Sequence, residues 1–182
     1  MLKWFLKSRV AGFARAYGYD TSYMDHMIDV SPTAFMRFAK VMGLSQHSED
    51  TPADALYAAK LAALVSEDCG PCTQLVTQMA EQAGVNAEVL RGILTGDTAR
   101  MGPDASLAWR FAAASLAHSL EADPLRAEIE QRWGPRAVLT LALAITSARL
   151  YPTLKYALGY GHACTRVRVA GADVVPREPV AA

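Results

Sequence analysis

The sequence predicts an all-α fold. Apolar residues recur at helical spacing along most of its 182 residues, and Ser31-Pro32, Gly43, Gly84 and Gly134-Pro135 punctuate them as helix starts and stops. No stretch alternates apolar and polar residues for long enough to build a sheet; Thr165 to Val169 is the one strand-like segment, and it is short. This length closes a substantial core without metal or disulfide staples.

The first predicted element is an amphipathic basic helix. Leu2, Phe5, Leu6 and Phe13 share a face, Lys3, Lys7, Arg9 and Arg15 surround it, and no acid precedes Asp20. It reads as a packing or oligomer arm, or as a surface-docking helix. Gly18 ends it, a short helix covers Ser22 to Ile28, and Ser31 caps a helix from Pro32 to Met42 that stops at Gly43. Ser45 to Thr51 is a linker, and Pro52 reopens a helix through Leu64. A helix after the cysteine pair closes at Gly84, and Asn86 caps a short one to Leu94. Thr95 to Pro103 reads as a loop and Asp104 as the start of an Ala-rich helix holding Phe111, Leu116 and His118. A short helix follows Pro124, and the most apolar one runs from Gly134-Pro135 to Leu158, bent at Pro152. From Ala170 onward the chain reads as a flexible tail or an arm on a neighbour. The predicted division is an N-terminal helical segment (1–48), a helical core (49–160) and a C-terminal tail (161–182).

Composition narrows the function classes. Hydrophobic residues make up 52% and charged residues 20%, and 18 Lys+Arg balance 18 Asp+Glu, so no global field draws nucleic acid. The apolar run between Arg136 and Arg149 is shorter than the ~20 residues of a membrane span, which predicts a buried helix and no integral membrane association. The N-terminus lacks a small-residue cleavage site after a clean apolar run, which predicts a cytoplasmic protein.

Chemistry concentrates at Cys69-Gly-Pro-Cys72. The odd cysteine count argues against a disulfide framework, and the spacing suggests a redox dithiol in a reducing compartment. A reactive cysteine must ionise; proline in a first turn and the unpaired N–H groups there favour a thiolate, and three-residue spacing brings the sulfurs within bridging reach. Glu67 and Asp68 disfavour the thiolate, yet either could accept its proton. Two alternatives stay open: a pair of small buried hydrophobes at a tight junction, or half a zinc site completed by His162 and Cys164, whose spacing is not that of a structural zinc motif. The leading expectation is no metal and no cofactor. His118, on an apolar helix, reads as a core histidine or a proton relay; His26 reads as exposed; and Arg149, interrupting the most apolar helix, requires a carboxylate, an interface or a ligand.

Thioredoxin shares the four letters Cys-Gly-Pro-Cys but places them after a β-strand. The stretch Lys60 to Gly84, together with Ala148-Arg-Leu-Tyr-Pro152 and Lys155-Tyr-Ala-Leu-Gly159, instead resembles the alkyl hydroperoxidase D and carboxymuconolactone decarboxylase-like family over residues 52 to 160. The resemblance implies an alkyl hydroperoxidase D-like helical fold with the CxxC motif at a helix N-terminus. It implies that Cys72 attacks peroxide, that Cys69 resolves it, and that a dithiol serves as electron donor. It also implies homo-oligomers: dimers, trimers or hexamers. The family's relay glutamate and histidines correspond here to Tyr57, Pro71 and Val76. Valine and proline exchange no protons, and tyrosine, with a pKa of ~10, is a reluctant base. Two classes follow: a thiol-disulfide oxidoreductase or peroxidase-like enzyme, or a non-enzymatic helical oligomer or adaptor that keeps the pair as a structural or redox-sensing element.

Overall fold

The computed structural model describes residues 1–163 and 166–178. The chain is helical throughout its first 157 residues, as the periodicity predicts. Its elements are α1 (Leu2–Tyr17), α2 (Ser22–Val30), α3 (Pro32–Ala39), α4 (Val41–Ser45), α5 (Ala53–Ser66), α6 (Gly70–Gln82), α7 (Ala87–Thr95), α8 (Thr98–Leu116), α9 (Ala122–Trp133), α10 (Pro135–Ala157), β1 (Val167–Val169) and β2 (Ala172–Val174).

The main core is built around α5. Nine of its residues, from Ala55 to Val65, are buried, so apart from a stripe through Ala53, Tyr57 and Lys60 the helix is apolar and takes an interior position. Ala58, Ala59 and Ala63 face neighbours that include Ala105, Ala108 and Ala112 of α8; these small side chains let the two helices approach closely. α6, α7 and α10 pack on the rest of α5. α10 is long and apolar enough, by length and composition, to cross a membrane, but here it packs on α4, α5 and α9 and buries nine residues within the fold. It continues through Pro152 to Ala157.

A separate small core, Val10, Ile28 and Phe35 with Leu6, Met24 and Met27 against it, holds α1 to α3 together. Gly18 ends α1 at φ 59°, the left-handed conformation glycine adopts without strain. Ser31 Oγ accepts from the Ala34 N–H at 3.2 Å, the cap expected before Pro32. The linker before α5 is fixed to α10 by Thr140, whose hydroxyl accepts from the Glu49 N–H and donates to the Glu49 carbonyl.

Three expectations are corrected. The helix read as Pro32 to Met42 breaks at Lys40 and resumes through Gly43, and Lys60 Nζ donates to the Ser45 carbonyl at the end of α4 (2.7 Å). The loop read as Thr95 to Pro103 is largely the first turn of α8, capped by Asp97; Gly102, at φ 71°, kinks the chain before Pro103 restarts the helix.

The tail read as beginning at Ala170 is ordered on the chain's own core. β1 and β2 pair antiparallel, Val167 opposite Val174, through Ala170 and Gly171, both at positive φ as a two-residue hairpin turn requires. Val167 and Val169 are fully buried. The open edge of β1 is satisfied by a side chain: Gln74 accepts from the Arg168 N–H (2.7 Å) and donates to its carbonyl (3.1 Å). The Arg177 N–H donates to Leu94, and its guanidinium lies over Trp109. Two valines supply enough apolar surface to dock a hairpin too short to register as a sheet.

Candidate functional site

The cysteine motif sits where α5 turns into α6. Asp68 adopts φ 51° and reverses the chain, a conformation aspartate tolerates better than most residues. Cys69 is then extended as the N-cap of α6, Gly70 and Pro71 open the helix, and Cys72 falls in its first turn. Proline costs no hydrogen bond here, because the first-turn N–H groups have no partner within the helix. This geometry sets the two Cα atoms 5.4 Å apart, and the sulfurs are joined as a disulfide.

The surrounding chain clamps the junction. The Cys69 carbonyl accepts from both the N–H and the hydroxyl of Thr73, each at 2.9 Å. The Gly70 N–H donates to the His162 carbonyl (3.1 Å), and the Tyr156 hydroxyl donates to the Asp68 carbonyl (2.8 Å). Gly161 lies against the Tyr156 ring so closely that no Cβ would fit. The segment after α10 is therefore laid along the motif.

Cys69 is 0% and Cys72 3% exposed. What covers them includes the N-terminal segment. The Tyr19 hydroxyl, between α1 and α2, lies 3.9 Å from Cys72 Sγ. Lys155, only 1% exposed, donates from Nζ to the same hydroxyl at 3.5 Å, and Nζ sits 5.1 Å and 5.4 Å from the ring centroids of Tyr19 and Tyr23. Burial pushes the Tyr19 phenol up to about 12, and burial together with neighbouring Tyr19 raises Tyr23 as well. Burial lowers Lys155 from the usual lysine value, partly opposed by the Asp20 carboxylate. Asp20 is itself held below the usual carboxylate range by hydrogen bonds from the side chain and backbone of Ser22. The Tyr23 hydroxyl is buried and has no hydrogen-bond partner among the described residues.

The other predicted site residues lie apart from this cluster. Glu67 is paired with Arg149, whose Nε donates to Oε1 at 2.5 Å, so the carboxylate that Arg149 required is the one proposed as proton acceptor. Tyr57 is half-buried beside Lys60 Nζ, 5.3 Å from its ring centroid, and burial raises its phenol. His118 is corrected: α8 ends at Leu116, and His118 follows in an exposed turn at φ 52°, neither a core histidine nor on the helix. No hydrogen bond among the described residues joins Glu67, Tyr57 or His118 to either cysteine. His26 is exposed as expected and tilts against Tyr160. Of the zinc alternative, His162 reaches the motif through its backbone carbonyl, and Cys164 lies outside the described residues.

Sequence reasoning missed Tyr19 and Lys155. A signal for the lysine existed: Ala144, Ala148, Pro152 and Lys155 fall on one helical stripe of α10, all buried. Arg149 drew attention instead, and it is half-exposed. A second concavity, an open groove of about 720 Å³ lined by Phe38, Val41, Phe111, Ile145, Arg149 and Leu150 among others, includes neither cysteine, Tyr19 nor Lys155. No protein-family model, no curated protein and no solved structure matches this chain.

Proposed function

We propose that the chain is a thiol-dependent redox protein, peroxidase-like in chemistry and of the alkyl hydroperoxidase D-like type that its motif resembles. The observation that carries this reading is the Cys69–Cys72 bridge in the first turn of α6 with the Tyr19 hydroxyl 3.9 Å from Cys72 Sγ. In the reduced chain the Cys72 thiolate attacks a hydroperoxide oxygen. An S–O bond forms, the O–O bond breaks, and the leaving alkoxide takes a proton to become an alcohol. Cys69 then attacks the Cys72 sulfenic acid, water leaves, and the disulfide is restored. One hydroperoxide and one dithiol give one alcohol, one water and one disulfide, and an external dithiol returns the pair to its reduced state. Near-complete burial of both sulfurs favours a small oxidant over a folded protein disulfide.

The same burial favours a second reading, a structural disulfide that pins α5 to α6 in a non-enzymatic oligomer or adaptor. Trapping separates the two. Mild oxidation of the reduced chain is expected to rebuild the Cys69–Cys72 bridge and leave Cys164 alkylatable, and Cys69→Ser to accumulate a sulfenic acid at Cys72. A Cys69→Ser chain that resists hydroperoxide would decide for the structural reading. Self-association belongs to the proposal: Trp4 and Phe5, 76% and 53% exposed, lie on α1, and Leu139 and Leu150 are exposed on α10. Light scattering is expected to give a multiple of 19.6 kDa.

A further inference from the structure

The family resemblance leaves the cysteine pair without a proton relay, since Tyr57, Pro71 and Val76 stand at the relay positions. The fold supplies two polar groups from elsewhere. Cys72 Sγ, Tyr19 Oη and Lys155 Nζ form a line of contacts of 3.9 Å and 3.5 Å that joins α6, the turn between α1 and α2, and α10. A lysine that is 1% exposed with no carboxylate bonded to it among the described residues is costly to keep charged, so something must justify its place on the buried stripe of α10. We propose that Tyr19 and Lys155 are the proton relay of Cys72: Tyr19 touches the reacting sulfur, and Lys155 acts through it as a positioning residue. This inference rests on the redox reading of the pair.

The proton transfers balance, and the two electrons lost by sulfur go to the breaking O–O bond. After reduction, and with Lys155 in its amine form, the Cys72 thiol gives its proton to Tyr19 Oη while the Tyr19 phenolic proton moves to Lys155 Nζ. The products are a thiolate, a neutral tyrosine and an ammonium. When the thiolate attacks a hydroperoxide and the O–O bond breaks, the leaving alkoxide takes a proton from Tyr19, which is replenished by Lys155. The lowered proton affinity of Lys155 suits it to this exchange, and a raised Tyr19 phenol remains protonated and able to pass protons in either direction. The other groups facing the relay are Asp20, from the same turn as Tyr19, Tyr23 on α2, and Tyr151 on α10, which acts on both tyrosines; His162 faces Asp20 in turn.

The test is the ionisation of Cys72 in the Cys69→Ser chain. It is followed by thiolate absorbance in the ultraviolet against a Cys69→Ser/Cys72→Ser blank, which needs no reagent to reach the buried sulfur. Lys155→Met is expected to move the thiolate midpoint up by about one pH unit, a tenfold loss of thiolate at neutral pH. Tyr19→Phe is expected to move it in the same direction, and the double variant to do no more than Lys155→Met alone, because the two act in series. Tyr19→Phe removes a single oxygen, so it decides the matter even if Lys155→Met fails to fold. A midpoint unmoved by Tyr19→Phe, or shifts that add in the double variant, would overturn the relay. The redox reading is judged separately by hydroperoxide consumption in the unmodified chain. Consumption with an unmoved midpoint defeats the relay alone; a moved midpoint without consumption defeats the redox reading and, with it, the relay's part in catalysis, leaving only the coupling of Cys72 ionisation to Tyr19 and Lys155.

Discussion

From Ala53 to Val174 the chain has one contiguous core. Nine residues of α5 are buried and even the terminal hairpin contributes two fully buried valines. From Leu2 to Ala39 three helices share a small core of three buried residues, Val10, Ile28 and Phe35, and Trp4 stands 76% exposed. Yet this weaker region delivers Tyr19 to the cysteine pair, and Tyr23 to Lys155, both held by the stronger region. Stability and chemistry are thus divided: α5, α6 and α10 fix the sulfurs and the lysine, and the N-terminal helices close the site over them. A region with few buried contacts opens at lower free energy than the core beneath it, so the N-terminal helices are the part expected to open first over the buried disulfide.

The contrast can be broken at its strong end first. Ending the chain at Ala163 strips Val167 and Val169 from the core, and at about 1.5–3 kcal/mol for each buried valine the expected loss is about 3–6 kcal/mol in urea unfolding. Leu61→Ala, at the centre of α5, is expected to cost about 2–5 kcal/mol of the same transition. Ser31→Ala removes the cap of α3, a loss of about 1 kcal/mol, and its effect should appear as faster hydrogen exchange in α1 to α3 with little change in the main transition.

The smallest effect is read from pH. Burial lowers Lys155 and Lys60, so below 10.5 the unfolded chain binds protons that the native chain does not, and stability rises with pH across that window. Tyr19 has the opposite sign: from 10.0 to about 12 the unfolded chain has lost a proton that the native chain keeps, and stability falls as pH rises. Urea midpoints should therefore climb and then drop through the alkaline range, and Lys155→Met should flatten the climb.

Helix periodicity and caps made most of the fold legible: Ser31, Asn86, Gly84 and Gly134 all act where their chemistry places them. The hairpin was hidden because its three-residue strands are too short to show alternation, and its docking depends on Gln74, more than ninety positions away in the chain. Thr98 to Met101 was hidden because Gly102 and Pro103 read as a loop, although a single turn fits before them. The cysteine pair was legible from its spacing alone. Tyr19 was not, since nothing local links a residue after Gly18 to a sulfur 53 positions later. Glu67 and Arg149 were each singled out by their surroundings, and only the packing of α5 against α10 shows that they answer one another.

The central question is whether the buried pair does chemistry. The most direct measurement is stopped-flow mixing of the fully reduced protein with a small hydroperoxide. The redox reading predicts consumption of one equivalent per chain, matched by reformation of the Cys69–Cys72 bridge and abolished by Cys72→Ser. Consumption no faster than in Cys72→Ser would contradict it and leave the disulfide a structural link between α5 and α6.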